Sequence, residues 1–132
     1  MSAPLFQMVA GAPQPVAPFS HATEVDGWVF VTGQMPTWPD DDARALPEGI
    51  EAQTRRVMDN LSIVLGGVGL DLSHVLSARA YLTEFERDYA RFNAVYAGYF
   101  APGRLPARTC IGVTALARSA LVEVDLLARR SA

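Results

Sequence analysis

The hydrophobic positions of this chain follow two periods, and the switches between them mark its elements. Ile50, Thr54, Val57, Leu61, Val64, Leu65 and Val68 recur at the three- and four-residue spacing of one helix face. Residues 48–68 are therefore expected to form a helix with that stripe buried. Glu48 and Glu51 sit in its first turn, where the helix dipole favours acids, and Gly66, Gly67 and Gly69 end it. A second stripe, Phe85, Tyr89, Phe92, Tyr96, Tyr99 and Phe100, predicts another helix reaching residue 100, with its aromatics in the core. Thr83 and Glu86 have capping-box spacing at its start, and Ala101-Pro102-Gly103 stops it.

Elsewhere the period is two, that of strands. Residues 5–9 form a short apolar run. Residues 19–25 and 28–32 flank Asp26-Gly27, a two-residue hairpin signal, and the second arm is apolar on both sides, as a central strand would be. Residues 74–82 alternate Val75, Ser77, Arg79 and Tyr81 with Leu76, Ala78, Ala80 and Leu82. In residues 105–113, Thr109, Ile111 and Val113 share one face and Arg108, Cys110 and Gly112 the other. In residues 120–128, Val122, Val124, Leu126 and Ala128 oppose Leu121, Glu123, Asp125 and Leu127. The short polar turn 115–119 predicts that these last two strands pair as an antiparallel hairpin with coincident apolar faces. That pairing would put Arg108 and Cys110 on the same sheet face as Glu123.

The order is thus β-β-β-α-β-α-β-β, an α+β fold with a mixed sheet and both helices on one face. The opposite face would carry Arg108, Cys110 and Glu123 together with Leu121 and Leu127. Mixed faces of that kind seldom stay in water, so an oligomer with a pocket between subunits is expected.

Composition narrows the function. The length of 132 residues fits one domain spanning 1–132. A net charge of −3 without a basic cluster argues against nucleic acid, whose binding needs a positive face. No run of 18 apolar residues crosses a membrane, and the start Met1-Ser2-Ala3-Pro4 lacks the charged and apolar regions of a secretory leader. One cysteine forms no internal disulfide, which fits the cytoplasm. Residues 33–47, with Asp40-Asp41-Asp42, are expected to be a mobile acidic loop, solvated rather than cation-binding. His21 and His74 are isolated, and the face around Arg108 offers too few ligands for a metal.

Arginine, thiol and glycine on one strand face suit a small anion, or else an edge strand whose arginine points into water. With Glu123 beside it, Arg108 is either half of an exposed salt bridge of little energy or a binding cation next to a general base. Cys110 has no histidine placed to activate it, so it is expected to line the site rather than attack.

Six blocks in order resemble the RidA/YjgF family, also called L-PSP: Ala17-Pro18-Phe19-Ser20-His21-Ala22; Val29-Phe30-Val31-Thr32-Gly33-Gln34-Met35-Pro36; Glu51-Ala52-Gln53-Thr54 with Asn60-Leu61; Phe92-Asn93-Ala94-Val95-Tyr96 with Tyr99-Phe100; Pro106-Ala107-Arg108-Thr109; and Val122-Glu123-Val124-Asp125. The resemblance implies a chorismate-mutase-like homotrimer with clefts between subunits and no cofactor. It further implies hydrolysis of imine and enamine acids, such as 2-aminoacrylate or 2-iminobutyrate, to 2-oxoacids and ammonia. By the same resemblance Arg108 binds the substrate carboxylate and Glu123 holds the attacking water. Cys110, Asn93, Thr32, Gly33 and Phe19 match positions lining the cleft. Phe19 stands where the family has a tyrosine, Thr32 where it has a serine, and Leu116-Ala117 where it has Leu-Pro. Two other functions attach to such a chain: an endoribonuclease or translation inhibitor, and a non-catalytic trimer that binds small carboxylates. A deaminase with a different, pathway-specific imine is a further alternative.

Overall fold

The long stripe buries as its spacing requires. In the computed structural model, which describes residues 3–131, Ile50, Thr54, Val57, Leu61, Val64 and Leu65 are all buried along helix α1 (Ile50–Gly67). Before it come β1 (Leu5–Gln7), β2 (Ala22–Val25) and β3 (Trp28–Gln34). After it come β4 (Val75–Leu82), α2 (Phe85–Ala97), β5 (Ala107–Gly112) and β6 (Val122–Arg129). The element order is the expected one. Met1, Ser2 and Ala132 lie outside the described residues, and with them the ends of the expected domain and the first residues of its start.

The strands form one sheet in the order β1-β2-β3-β6-β4-β5, antiparallel throughout except for the parallel pair β4/β5. At the first hairpin Asp26 and Gly27 both take positive φ (51° and 82°), as a two-residue turn between twisted strands requires. Val29, Val31, Ala78, Ala80, Leu82, Val122, Val124 and Leu126 face the helices in one buried cluster with the α1 stripe. Each such Leu or Val contributes about 1.5–3 kcal/mol when fully buried, so this layer carries the fold. Both helices lie on that face, α1 over β3 and β6, α2 against α1 and β4.

The expected hairpin between the last two strands does not form. β5 pairs only with β4, in parallel, while β6 inserts between β3 and β4. The chain reaches β5 through α2, and a crossover helix delivers a strand parallel to its predecessor. The turn after β5 then carries β6 past β4 instead of folding back on its neighbour.

Local expectations were also modified. The Thr83/Glu86 capping box is absent: Glu84 is the cap residue and makes no side-chain cap bond, while the Thr83 hydroxyl donates to the Ala120 carbonyl at 3.5 Å. An irregularity between Val75 and Ser77 shifts the phase of β4, so Leu76 is exposed and Val75 buried. The loop after β3 is tethered rather than loose. Asn60 donates to the carbonyls of Met35 (2.9 Å) and Thr37 (2.8 Å), and the Trp38 indole donates to Ala45 (2.9 Å). Arg118 holds the Asp42 carboxylate at 2.6 Å, whereas the side chains of the acidic triplet are otherwise in solvent. His21 is a structural residue: its Nδ1 accepts from the Val9 N–H and its Nε2–H donates to the Pro13 carbonyl, both at 2.8 Å. Among the described residues no helix is long and apolar enough to cross a membrane.

Candidate active site

β5 is the sheet's outer strand, so the helix-side residues it carries are only partly roofed. Arg108 lies directly beside Ala78 on β4, and Cys110 beside Ala80. Partners across a ladder share a face. Both residues therefore point to the helix side, at the margin where α2 overhangs the sheet. There the Arg108 guanidinium donates from Nη1 to Asn93 Oδ1 (2.8 Å) and from Nη2 to the Tyr89 hydroxyl (3.3 Å). Its Cζ lies 5.1 Å from the Tyr96 ring centroid and 5.5 Å from that of Phe92. Both hydrogen-bonding anchors are neutral. Among the described residues Arg108 has no salt bridge, which leaves a positioned cation without a counter-ion.

Cys110 is half-buried against the core, and burial pushes its thiol up, partly offset by the Arg108 charge. A thiol moved away from thiolate is a poor nucleophile. Gly112 was expected to leave room for a ligand beside the backbone. Phe85 fills that room instead, its Cβ 3.1 Å from where a Cβ on residue 112 would stand.

Glu123 points the other way. On β6 it lies opposite Tyr81, and Asp125 lies opposite Arg79, on the open face of the sheet. The expectation that Arg108, Cys110 and Glu123 share a face fails with the hairpin on which it rested. The two acids of this face differ sharply. Asp125 accepts from Arg79 Nε (2.9 Å) and from the Tyr81 hydroxyl (3.0 Å). Glu123 has neither hydrogen bond nor salt bridge among the described residues, and it is half-buried. Burial, and then the neighbouring Asp125 charge, raise its proton affinity above the ordinary carboxylate value. Such a group suits a base that must also give its proton back.

Phe19, Thr32 and Gly33 lie on Glu123's side of the sheet. They line a cleft of about 800 Å³ on the open face, with Phe30, Thr23 and Leu127 among its other walls. A register irregularity between Val31 and Gln34 bends β3 there, and the Glu123 side chain lies against Gly33. The seven sequence-derived site residues therefore form two groups. Arg108, Cys110 and Asn93 sit at the β5 margin on the helix side; Phe19, Thr32, Gly33 and Glu123 sit on the open side. Within one chain the sheet separates them.

Sequence reasoning missed Tyr89, which the stripe placed in the core. It is 37% exposed, against 0% for Phe92 and 4% for Tyr96. The available signal was its i, i+4 relation to Asn93, which puts both side chains over one partner. Among the described residues no group of three or more His, Cys, Asp or Glu side chains is placed to hold a metal ion.

The family profile described as Endoribonuclease L-PSP matches residues 9–130. The chain belongs to the RidA/YjgF (L-PSP) family. It is 42% identical over 120 residues to the Protein DfrA of Myxococcus xanthus, covering 89% of this chain and 88% of that one. It is 36% identical over 120 residues to a RutC family protein of Saccharolobus solfataricus, covering 91% and 93%. Among solved structures, a Yersinia pestis protein of the conserved Rid family superposes with a TM-score of 0.89 at 31% identity, covering 96% of this chain and 99% of that one. The YjgF-like fold read from the sequence is therefore the fold of this family.

Proposed function

We propose that the chain hydrolyses 2-imino and enamine acids to 2-oxoacids and ammonia, in clefts where the Arg108 side of one subunit meets the Glu123 side of another within a homotrimer. The observation that carries this reading is the unneutralised pair: a guanidinium anchored by neutral oxygens, and a half-buried carboxylate without a partner among the described residues. A substrate bearing both an anionic group and a site for water addition satisfies both.

The chemistry needs little more. An imine carbon is already electrophilic, so turnover depends on holding it still and placing a water. Arg108 forks onto the substrate carboxylate with the guanidinium hydrogens that Asn93 and Tyr89 leave free. Glu123 orients the water and takes one of its protons as the C–O bond forms. Glu123 returns that proton to nitrogen, giving a carbinolamine, and then moves the remaining hydroxyl proton to nitrogen as C=O forms, the C–N bond breaks and ammonia leaves. One water is consumed and no redox change occurs. Cys110 and Gly33 shape the walls, and no cofactor takes part. Phe19 leaves this cleft without the hydroxyl that the family's tyrosine supplies.

The family's endoribonuclease description suggests another activity, but a net charge of −3 gives little attraction for a phosphate backbone. The deciding assay generates imines from several amino acids with an amino-acid oxidase and follows their decay. Acceleration above the spontaneous rate, lost in both Arg108→Ala and Glu123→Gln, supports the proposal. Decay at the spontaneous rate for every amino acid overturns it.

A further inference from the structure

The bond between Arg108 and Tyr89 fixes where one hydrogen is not. A guanidinium has only hydrogens to offer, so in the 3.3 Å contact the Tyr89 oxygen is the acceptor. The hydroxyl's own hydrogen is left over, and it has no acceptor among the described residues. The ring cannot swing far to find one. It stacks on Phe85 with centroids 4.6 Å apart at 23°, and Phe85 is itself seated against Gly112 of β5. A fixed phenol with a free hydrogen, in a residue 37% exposed, thus stands beside an arginine that has no counter-ion among the described residues.

We infer that Tyr89 is a substrate-binding residue: its hydroxyl accepts from Arg108 and donates to the carboxylate that Arg108 grips, and so selects substrates with a carboxylate next to the C=N carbon. This rests on the reading of Arg108 given above. The arrangement polarises the hydroxyl in the useful direction, because accepting from a cation strengthens its donation to an anion. It also explains why an aromatic of the α2 stripe carries a hydroxyl and stands outside the core. A neutral imine would lose both the guanidinium fork and this third bond, so discrimination by charge would not depend on Arg108 alone.

The test measures binding of 2-oxobutyrate, the product-like carboxylate, and of its neutral amide by calorimetry, with imine kinetics alongside. Tyr89→Phe is expected to weaken 2-oxobutyrate about tenfold, the value of one hydrogen bond to a charged group, and to leave the amide unchanged. In turnover the loss falls on KM. Tyr89→3-fluorotyrosine makes the hydroxyl a stronger donor and a weaker acceptor, and is expected to bind 2-oxobutyrate more tightly than the unmodified protein. Weaker binding by the fluorinated protein overturns direct donation and leaves Tyr89 only as a prop for Arg108. Unchanged binding in Tyr89→Phe, with binding lost in Arg108→Ala, overturns the role of Tyr89 while the site stands. Unchanged binding in Arg108→Ala removes the site itself.

Discussion

The Glu123 carboxyl occupies the space that a Cβ on Gly33 would need. Gly33 is not required for its backbone angles, since its φ is not among the positive ones; it is required for this close approach. The Glu123 carboxylate of β6, proposed to handle the attacking water, is thus seated by the absence of a side chain on β3. Gly33→Ala is expected to cost only about 1–2 kcal/mol in thermal unfolding, because what must yield is the end of a flexible side chain. Turnover is expected to fall roughly tenfold to a hundredfold, since a displacement near 1 Å at a reacting group costs rates of that order. An Ala variant with wild-type kcat would detach Gly33 from catalysis.

The pH dependence follows from the raised proton affinity of Glu123, caused first by burial and then by Asp125. A carboxyl whose folded pKa exceeds its unfolded one adds stability that is complete below the unfolded value, about 4.3 for glutamate, and lost as pH rises through the folded value. Glu123→Gln is therefore expected to be more stable than the wild type at neutral pH. That advantage should shrink as pH falls through the raised folded value and be gone below about 4.3. In the wild type kcat is expected to drop as pH falls through that same raised value, because the base is then protonated. Urea midpoints and kcat across the range check both signs.

Arg108 and Glu123 are expected to fail differently. Losing a bidentate fork worth about 1.5–3 kcal/mol per bond, Arg108→Ala should lower kcat/KM by about a hundredfold or more, chiefly through KM. Arg108→Lys keeps charge but not the fork and should behave closer to Ala than to the wild type. Glu123→Gln should lose about 10²–10⁴ in kcat. Steady-state kinetics above the spontaneous rate distinguish the cases.

Cys110→Ala should retain most activity. Burial disfavours the thiolate, and an alanine keeps the wall small. Abolished turnover in an assembled Cys110→Ala protein would reopen covalent chemistry.

Because the sheet stands between Arg108 and Glu123 in one chain, two inactive variants should repair each other. Light scattering is expected to give about three times the 14.3 kDa chain mass. Arg108→Ala and Glu123→Gln proteins, unfolded together and refolded at equal amounts, should recover about a quarter of wild-type activity, since one interface in four then combines two intact halves. Each variant refolded alone should recover about a hundredth of it or less, measured at substrate well below KM. Failure of the mixture to recover would refute a site shared between subunits.

Periodicity was enough for most of the fold. The α1 stripe, the Asp26-Gly27 turn and the inward row Val122, Val124, Leu126 and Ala128 are local patterns, and each appears in the structure. Strand pairing is not local. Nothing in residues 105–128 shows that β5 lies at the sheet edge or that β6 threads between β3 and β4, because that choice is made by contacts with strands far away in the chain. The face of Arg108 was lost with it. For an edge strand, moreover, apolar content does not identify the core side: Ile111 is 46% exposed, while Arg108 and Cys110 face the helices. The candidate site residues were named from motif blocks, but their division between two sides of a sheet was not visible there.

The parallel crossover has a consequence for how such a protein changes over time. Phe85, Tyr89, Asn93, Arg108, Cys110 and Gly112 all fall in one continuous run, from the start of α2 to the end of β5. Gly33 and Glu123 lie outside it, on β3 and β6. Under the proposed roles, drift or recombination confined to that run can retune which acids are held while the residues proposed to deliver water are inherited intact.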